Sequence, residues 1–149
     1  MNRRTTLAGA LALTTGLALA GCSASDSRPE LKVTGAFMPQ PVSDMAAGFL
    51  VVRNSGGSSD RLTSVTSPLS DHVTIHETKN QTMRMVTSFE VPADGELDLE
   101  RGGSHIMFTA LKERPKQGET VTVELHFEKA DPITVDLPVK ETTYNPKKQ

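Results

Sequence analysis

Residues 119–128 read E-T-V-T-V-E-L-H-F-E. Val121, Val123, Leu125 and Phe127 alternate with Thr122, Glu124 and His126. A period of two sends the first set to one face of a strand and the second to the other, one face buried and one wet. On this reading His126 is solvent-exposed. Outward from this stretch, the chain breaks into further short apolar runs divided by Gly, Pro, Asn and Ser. They are Leu31–Phe37, Ala46–Arg53, Arg61–Thr66, Asp71–His76, Met83–Val91, Glu96–Leu99, Ser104–Leu111 and Ile133–Leu137. No segment sustains a helical period. Short strands at this spacing predict an all-β sandwich or barrel.

The ends read differently. Arg3 and Arg4 precede an apolar run, Leu7–Ala20, and then Leu19-Ala20-Gly21-Cys22. A charged start, a short apolar stretch and small residues before a cleavage point describe a secretory signal. Leu-Ala-Gly-Cys matches the bacterial lipobox, which implies cleavage before Cys22 and a lipid on its sulfur. The run falls short of the roughly 20 residues that a membrane-spanning helix needs. The expected division is a lipoprotein signal peptide at 1–21, a lipidated Cys22 with a tether at 22–30, one domain at 31–138 and a polar tail at 139–149. The location would be extracytoplasmic, lipid-anchored to the bacterial cell membrane. The Arg3-Arg4 pair leaves the export route, Sec or twin-arginine, open.

The net charge is −2, and no basic cluster points to nucleic acid. The chain has a single cysteine. If it carries lipid, the folded domain has no thiol. That excludes a disulfide, a thiolate nucleophile, a blue-copper centre and a thiol-disulfide oxidoreductase. No nucleophile elbow, triad context or Gly-rich phosphate loop is present, so an enzyme is not expected.

What remains is histidine and methionine chemistry. In R-G-G-S-H-I-M-F, residues 101–108, His105 and Met107 leave a strand on the same face after two glycines suited to a tight turn. In D-H-V-T-I-H-E, residues 71–77, Val73 and Ile75 face one way while His72, Thr74 and His76 face the other. His76 ends that strand near a loop mouth. In Met83–Val91 the alternation aligns Met83 and Met85 with Phe89 and Val91, the pattern of core methionines. Met83 nevertheless lies at the end of its strand nearest His76.

The spacing H-x(n)-M-x21-H-x-M, formed by His76, Met83, His105 and Met107, resembles the signature of the periplasmic copper chaperones of the PCu(A)C type. The resemblance extends to Phe49–Gly56 with its N-x-G turn, to Asp60-Arg61-Leu62, and to Ile75–Thr78 and Met83–Met85. It continues through Gly102–Met107, Leu111-Lys112 and Gly118–Ala130. It covers residues 31 to 138 and implies a Greek-key β-sandwich, cupredoxin-like or immunoglobulin-like, in a single domain. It implies a Cu(I) site of His76, Met83, His105 and Met107. It also implies delivery to the CuA centre of a haem-copper oxidase, beside a Sco-type copper chaperone. One departure is the gap from His76 to Met83, six residues, which is shorter than the family's usual one. Met85 is therefore a possible alternative ligand. Two imidazoles and two thioethers suit Cu(I), whereas a carboxylate-free set does not favour Ca, Mg or Mn. Two other readings stand beside this one. The first is an exported interaction module without metal, which requires Met83 and Met107 buried and His76 far from His105. The second is copper storage or resistance, which calls for more His and Met than this chain has.

Overall fold

The computed structural model of the protein describes residues 27–148. The expected signal peptide and Cys22 lie outside the described residues. The chain is all-β: β1 (Leu31–Pro39), β2 (Ala46–Asn54), β3 (Asp60–Thr66), β4 (His72–Lys79), β5 (Thr82–Val86), β6 (Phe89–Val91), β7 (Gly95–Leu99), β8 (His105–Thr109), β9 (Thr120–Phe127) and β10 (Ile133–Lys140). A short 3-10 turn at Pro146–Lys148 follows.

The strands run in the order β5-β4-β8-β2-β1-β10-β9-β3-β6, with β7 also on β2. All pairings are antiparallel except a short parallel contact of β1 with β10 at Met38–Pro39, which joins the two halves. The halves pack face to face as a sandwich. One contributes Leu50, Val52, Ile75, Ile106 and Phe108 to the core, the other Leu62, Val65, Val123, Leu125 and Leu137. In β9 the inward set Val121, Val123 and Leu125 is buried, as its alternation predicts.

Two buried polar residues tie the loops at one end. Asn54 accepts from the backbone N–H of Glu30 (3.0 Å) and of Gly56 (2.9 Å) and donates to the Ser58 carbonyl (2.8 Å). Gly56 lies so close to Arg28 that a Cβ there would fall 2.0 Å from its carbonyl oxygen, so this turn requires glycine. Asp60 accepts from the backbone N–H groups of Arg61, Lys129 and Ala130 at 2.7–2.9 Å. These are scaffold duties, and they account for Asn54, Gly56 and Asp60 in the motif. They also hold Arg28–Glu30, the last part of the expected tether, against the domain.

The other terminus is docked as well. Val139 and Lys140 complete β10, and Tyr144 stands edge-on to Phe37 with ring centroids 5.0 Å apart. Lys147 pairs with Asp98 (2.7 Å) and with Glu100. A segment expected to be a polar tail thus lies on the outer face of β1, where Phe37 and Phe49 form a small apolar cluster of their own, 5.1 Å between rings.

Candidate metal centre

The sequence from β4 to β5 is a tight hairpin. Lys79 pairs with Thr82, and only Asn80 and Gln81 turn the chain, both with positive φ (51° and 63°). That is the backbone of a primed two-residue turn, in which Asn is favoured. The short His76–Met83 gap is therefore the end of β4, a two-residue turn and the start of β5. β4 runs on to Lys79, so His76 sits within the strand and not at a mouth of the sandwich, as the sequence led us to expect.

Cross-strand register then assembles one surface. His76 is paired with His105 on one side and with Met85 on the other. Thr78 is opposite Met83, and Thr74 is opposite Met107. Paired residues share a face, so Met83, Met85, Thr74, His76, Thr78, His105 and Met107 all lie on the outer face of β5-β4-β8. The opposite face carries Ile75, Ile106 and Phe108 into the core.

Met83 and Met85 are 49% and 65% exposed, while Val91 is fully buried. The line Met83-Met85-Phe89-Val91 is thus not one core face. The strand breaks at Thr87-Ser88: β5 pairs with β4, and β6 pairs with β3 in the other half. The side that is outward in one sheet becomes inward in the next.

β8 begins where it does because of the glycines. Leu99 pairs with Leu50 and Ile106 with Gly48, so residues 100–104 bulge out of the line that β7 and β8 form along β2. Gly102 has φ +84°, and the Gly103 N–H donates to the Glu100 carbonyl at 2.9 Å. The bulge brings His105 back beside Phe49, ring centroids 6.4 Å apart, where it is 8% exposed.

The two imidazoles face each other with centroids 5.6 Å apart and planes 15° from parallel. His105 Nδ1 is 2.9 Å from the Gly103 carbonyl oxygen. A carbonyl only accepts, so Nδ1 carries the proton and the Nε2 lone pair is unused. The same carbonyl accepts from Thr78 Oγ1 at 3.0 Å. His76 Nε2 lies 2.9 Å from Thr74 Oγ1, while His76 Nδ1 is buried without a hydrogen-bond partner, alone in this among the described residues. With the proton assigned to Nε2, which donates to Thr74, the Nδ1 lone pair is free. A buried unsatisfied nitrogen is costly and points to a missing ligand. Burial, and secondarily the neighbouring His105, lowers the His76 pKa from its ordinary value, which favours the neutral imidazole that binds a metal. Two imidazoles beside thioethers form a donor set for a soft cation.

The threonines escaped the sequence reading as functional residues, although the alternation had put Thr74 beside His76. His72 is exposed on the same face of β4, opposite Thr109. His126 is elsewhere, on β9, bonded to Thr66 (3.1 Å) and paired with Glu124 (3.2 Å).

The model of the family described as "Putative lipoprotein LpqE-like" matches residues 31–139. "Putative lipoprotein Lxx21020" of Leifsonia xyli subsp. xyli (strain CTCB07) is 34% identical over 153 residues, covering 93% of this chain and 89% of the relative. Among solved structures, CuI-DR1885 of Deinococcus radiodurans superposes with a TM-score of 0.66 at 26% identity, over 83% of this chain and 87% of that one. The copper-bound PCuAC domain from PmoF2 gives 0.67 at 22% identity, over 76% and 98%. At that identity it speaks to the fold alone, which is the cupredoxin-like sandwich of PCuAC domains.

Proposed function

The chain belongs to the LpqE-like lipoprotein family, and on that footing we propose that it carries Cu(I) outside the cytoplasmic membrane. The site would be His76, His105, Met107 and a methionine of β5: Met83 by its spacing to His105, or Met85 by its register opposite His76. The observation that carries this reading is the facing imidazole pair, each ring with one unengaged nitrogen, bordered by methionines on one outer face. Neutral thioethers and imidazoles leave Cu(I) as a +1 centre and offer nothing to hard dications. The Cu(I)-bound form of DR1885, 26% identical, supports the choice of metal. A site bordered by exposed methionines on a sheet edge suits handing the ion on. A metal-free interaction module is disfavoured because Met83 is half-exposed and the two histidines are neighbours. Storage is disfavoured because the tail after Glu141 holds neither His nor Met.

On the family resemblance, the proposed destination is the CuA centre of a haem-copper oxidase, beside a Sco-type chaperone that supplies the thiol chemistry this domain lacks. The proposed location follows from a lipid on Cys22. The test is an anaerobic Cu(I) titration against a chromophoric chelator, followed by transfer to a purified CuA domain. One tightly held Cu(I) per chain is expected. Failure to compete with even a weak chelator would return the chain to the metal-free reading.

A further inference from the structure

Three methionines border two histidines, one more than a four-coordinate site needs. Resting on the Cu(I) reading above, we propose that Met85 completes the resting site and that Met83 is an exchange ligand, which draws the ion toward the free edge of the sheet.

Sheet geometry separates the two. Strands lie about 4.8 Å apart and rise about 3.3 Å per residue. Met107 shares a row with Thr74, Met85 with His76 and Met83 with Thr78, and β8 is two strands from β5. Met107 and Met85 are thus two strands and two residues apart, roughly 12 Å between Cα atoms. Met107 and Met83 are two strands and four residues apart, roughly 16 Å. An extended methionine carries sulfur about 4–5 Å from its Cα, and a metal–sulfur bond adds about 2.3 Å, so two methionines share one ion across at most about 13–14 Å. Met85 and Met107 meet that limit. Met83 and Met107 exceed it, although the motif spacing pairs them.

Met83 is still one strand and two residues from His76, roughly 8 Å, within joint reach of one ion. Its sulfur can therefore bind as Met107 leaves. One Cu–S bond forms and one breaks, copper stays Cu(I), and no proton or electron moves. The shift carries the ion from the middle of the sheet to β5. That strand is the last of its sheet, with four of its five residues exposed and one backbone edge unpaired among the described strands. An acceptor offering a soft ligand meets the ion there.

The experiment compares Met83→Leu and Met85→Leu in the full-length protein in detergent, anaerobically. It reads equilibrium Cu(I) affinity by chelator competition and Cu(I) release to excess chelator by stopped flow. Met85→Leu is expected to weaken affinity by on the order of 100-fold. Met83→Leu is expected to change affinity by less than about threefold while slowing release by at least about tenfold. An affinity loss from Met83→Leu equal to or above that from Met85→Leu overturns the assignment. An unchanged release rate in Met83→Leu overturns the exchange role. Methionine-methyl NMR of the wild type gives a check free of mutation: Met85 and Met107 methyls should shift on Cu(I) addition more than Met83. A wild type that binds no Cu(I) would instead sink the copper reading itself.

Discussion

The two imidazoles and the two methionines of β5 occupy one sheet face under opposite conditions. His105 is 8% exposed, stands against Phe49 and gives its Nδ1–H to a carbonyl, and His76 is held by Thr74. Met83 and Met85 project from an edge strand at 49% and 65% exposure. One half is held in position by the surrounding protein; the other is unbranched, adaptable and wet. The difference suggests a division of labour. On the proposed Cu(I) reading, the histidines and Met85 would define where the ion rests, and Met83 how it leaves.

The largest effect should come from breaking the fixed half. His105→Ala is expected to lower Cu(I) affinity by at least about 100-fold and to destabilise the fold by about 1–2 kcal/mol, since it empties a buried site beside Phe49. Chelator competition and thermal melts check both. Next, Thr74→Val should cost about tenfold in affinity by releasing Nε2 of His76, and Thr74→Ser should restore it. Nitrogen NMR of the histidines would report the tautomer directly. A Thr74→Val protein with wild-type affinity would mean that His76 needs no orientation, and the contrast between the halves would weaken.

A smaller effect follows from pH. His76 has its pKa lowered by the fold, so the native state takes up fewer protons than the unfolded chain. Its contribution is then complete above the ordinary imidazole value of about 6.5 and is lost as pH falls toward the lowered one. Metal-free protein should melt lower near pH 5.5 than near pH 7.5, with a shallower slope in His76→Gln. The smallest effect is expected from His126→Ala, less than about threefold on affinity. A large loss there would mean the ligand set is wrong.

Much of this was legible in the sequence. Strict alternation gave β9 and its buried face, and the i, i+2 relation put His105 and Met107 on one side. The crossing at Thr87-Ser88 was not legible. Met83, Met85, Phe89 and Val91 stay in phase across it, and a period of two says nothing about which sheet a strand joins. The hairpin was hidden because Asn80-Gln81 lacks the glycine that usually marks such a turn. The docked C-terminal segment was hidden because a single aromatic, Tyr144, secures it among polar neighbours.

The close approach of Gly56 to Arg28 carries a last consequence. Because Arg28–Glu30 are fastened to the domain, they are lost to the expected tether, which shortens to a leash ahead of them. From Cys22 to Ser27 a chain can span at most roughly 18 Å. With a lipid on Cys22, the whole domain would patrol a thin layer above the bilayer, and its search for a recipient in the same membrane would be a two-dimensional one. Lengthening the leash should then slow delivery without touching a single copper ligand.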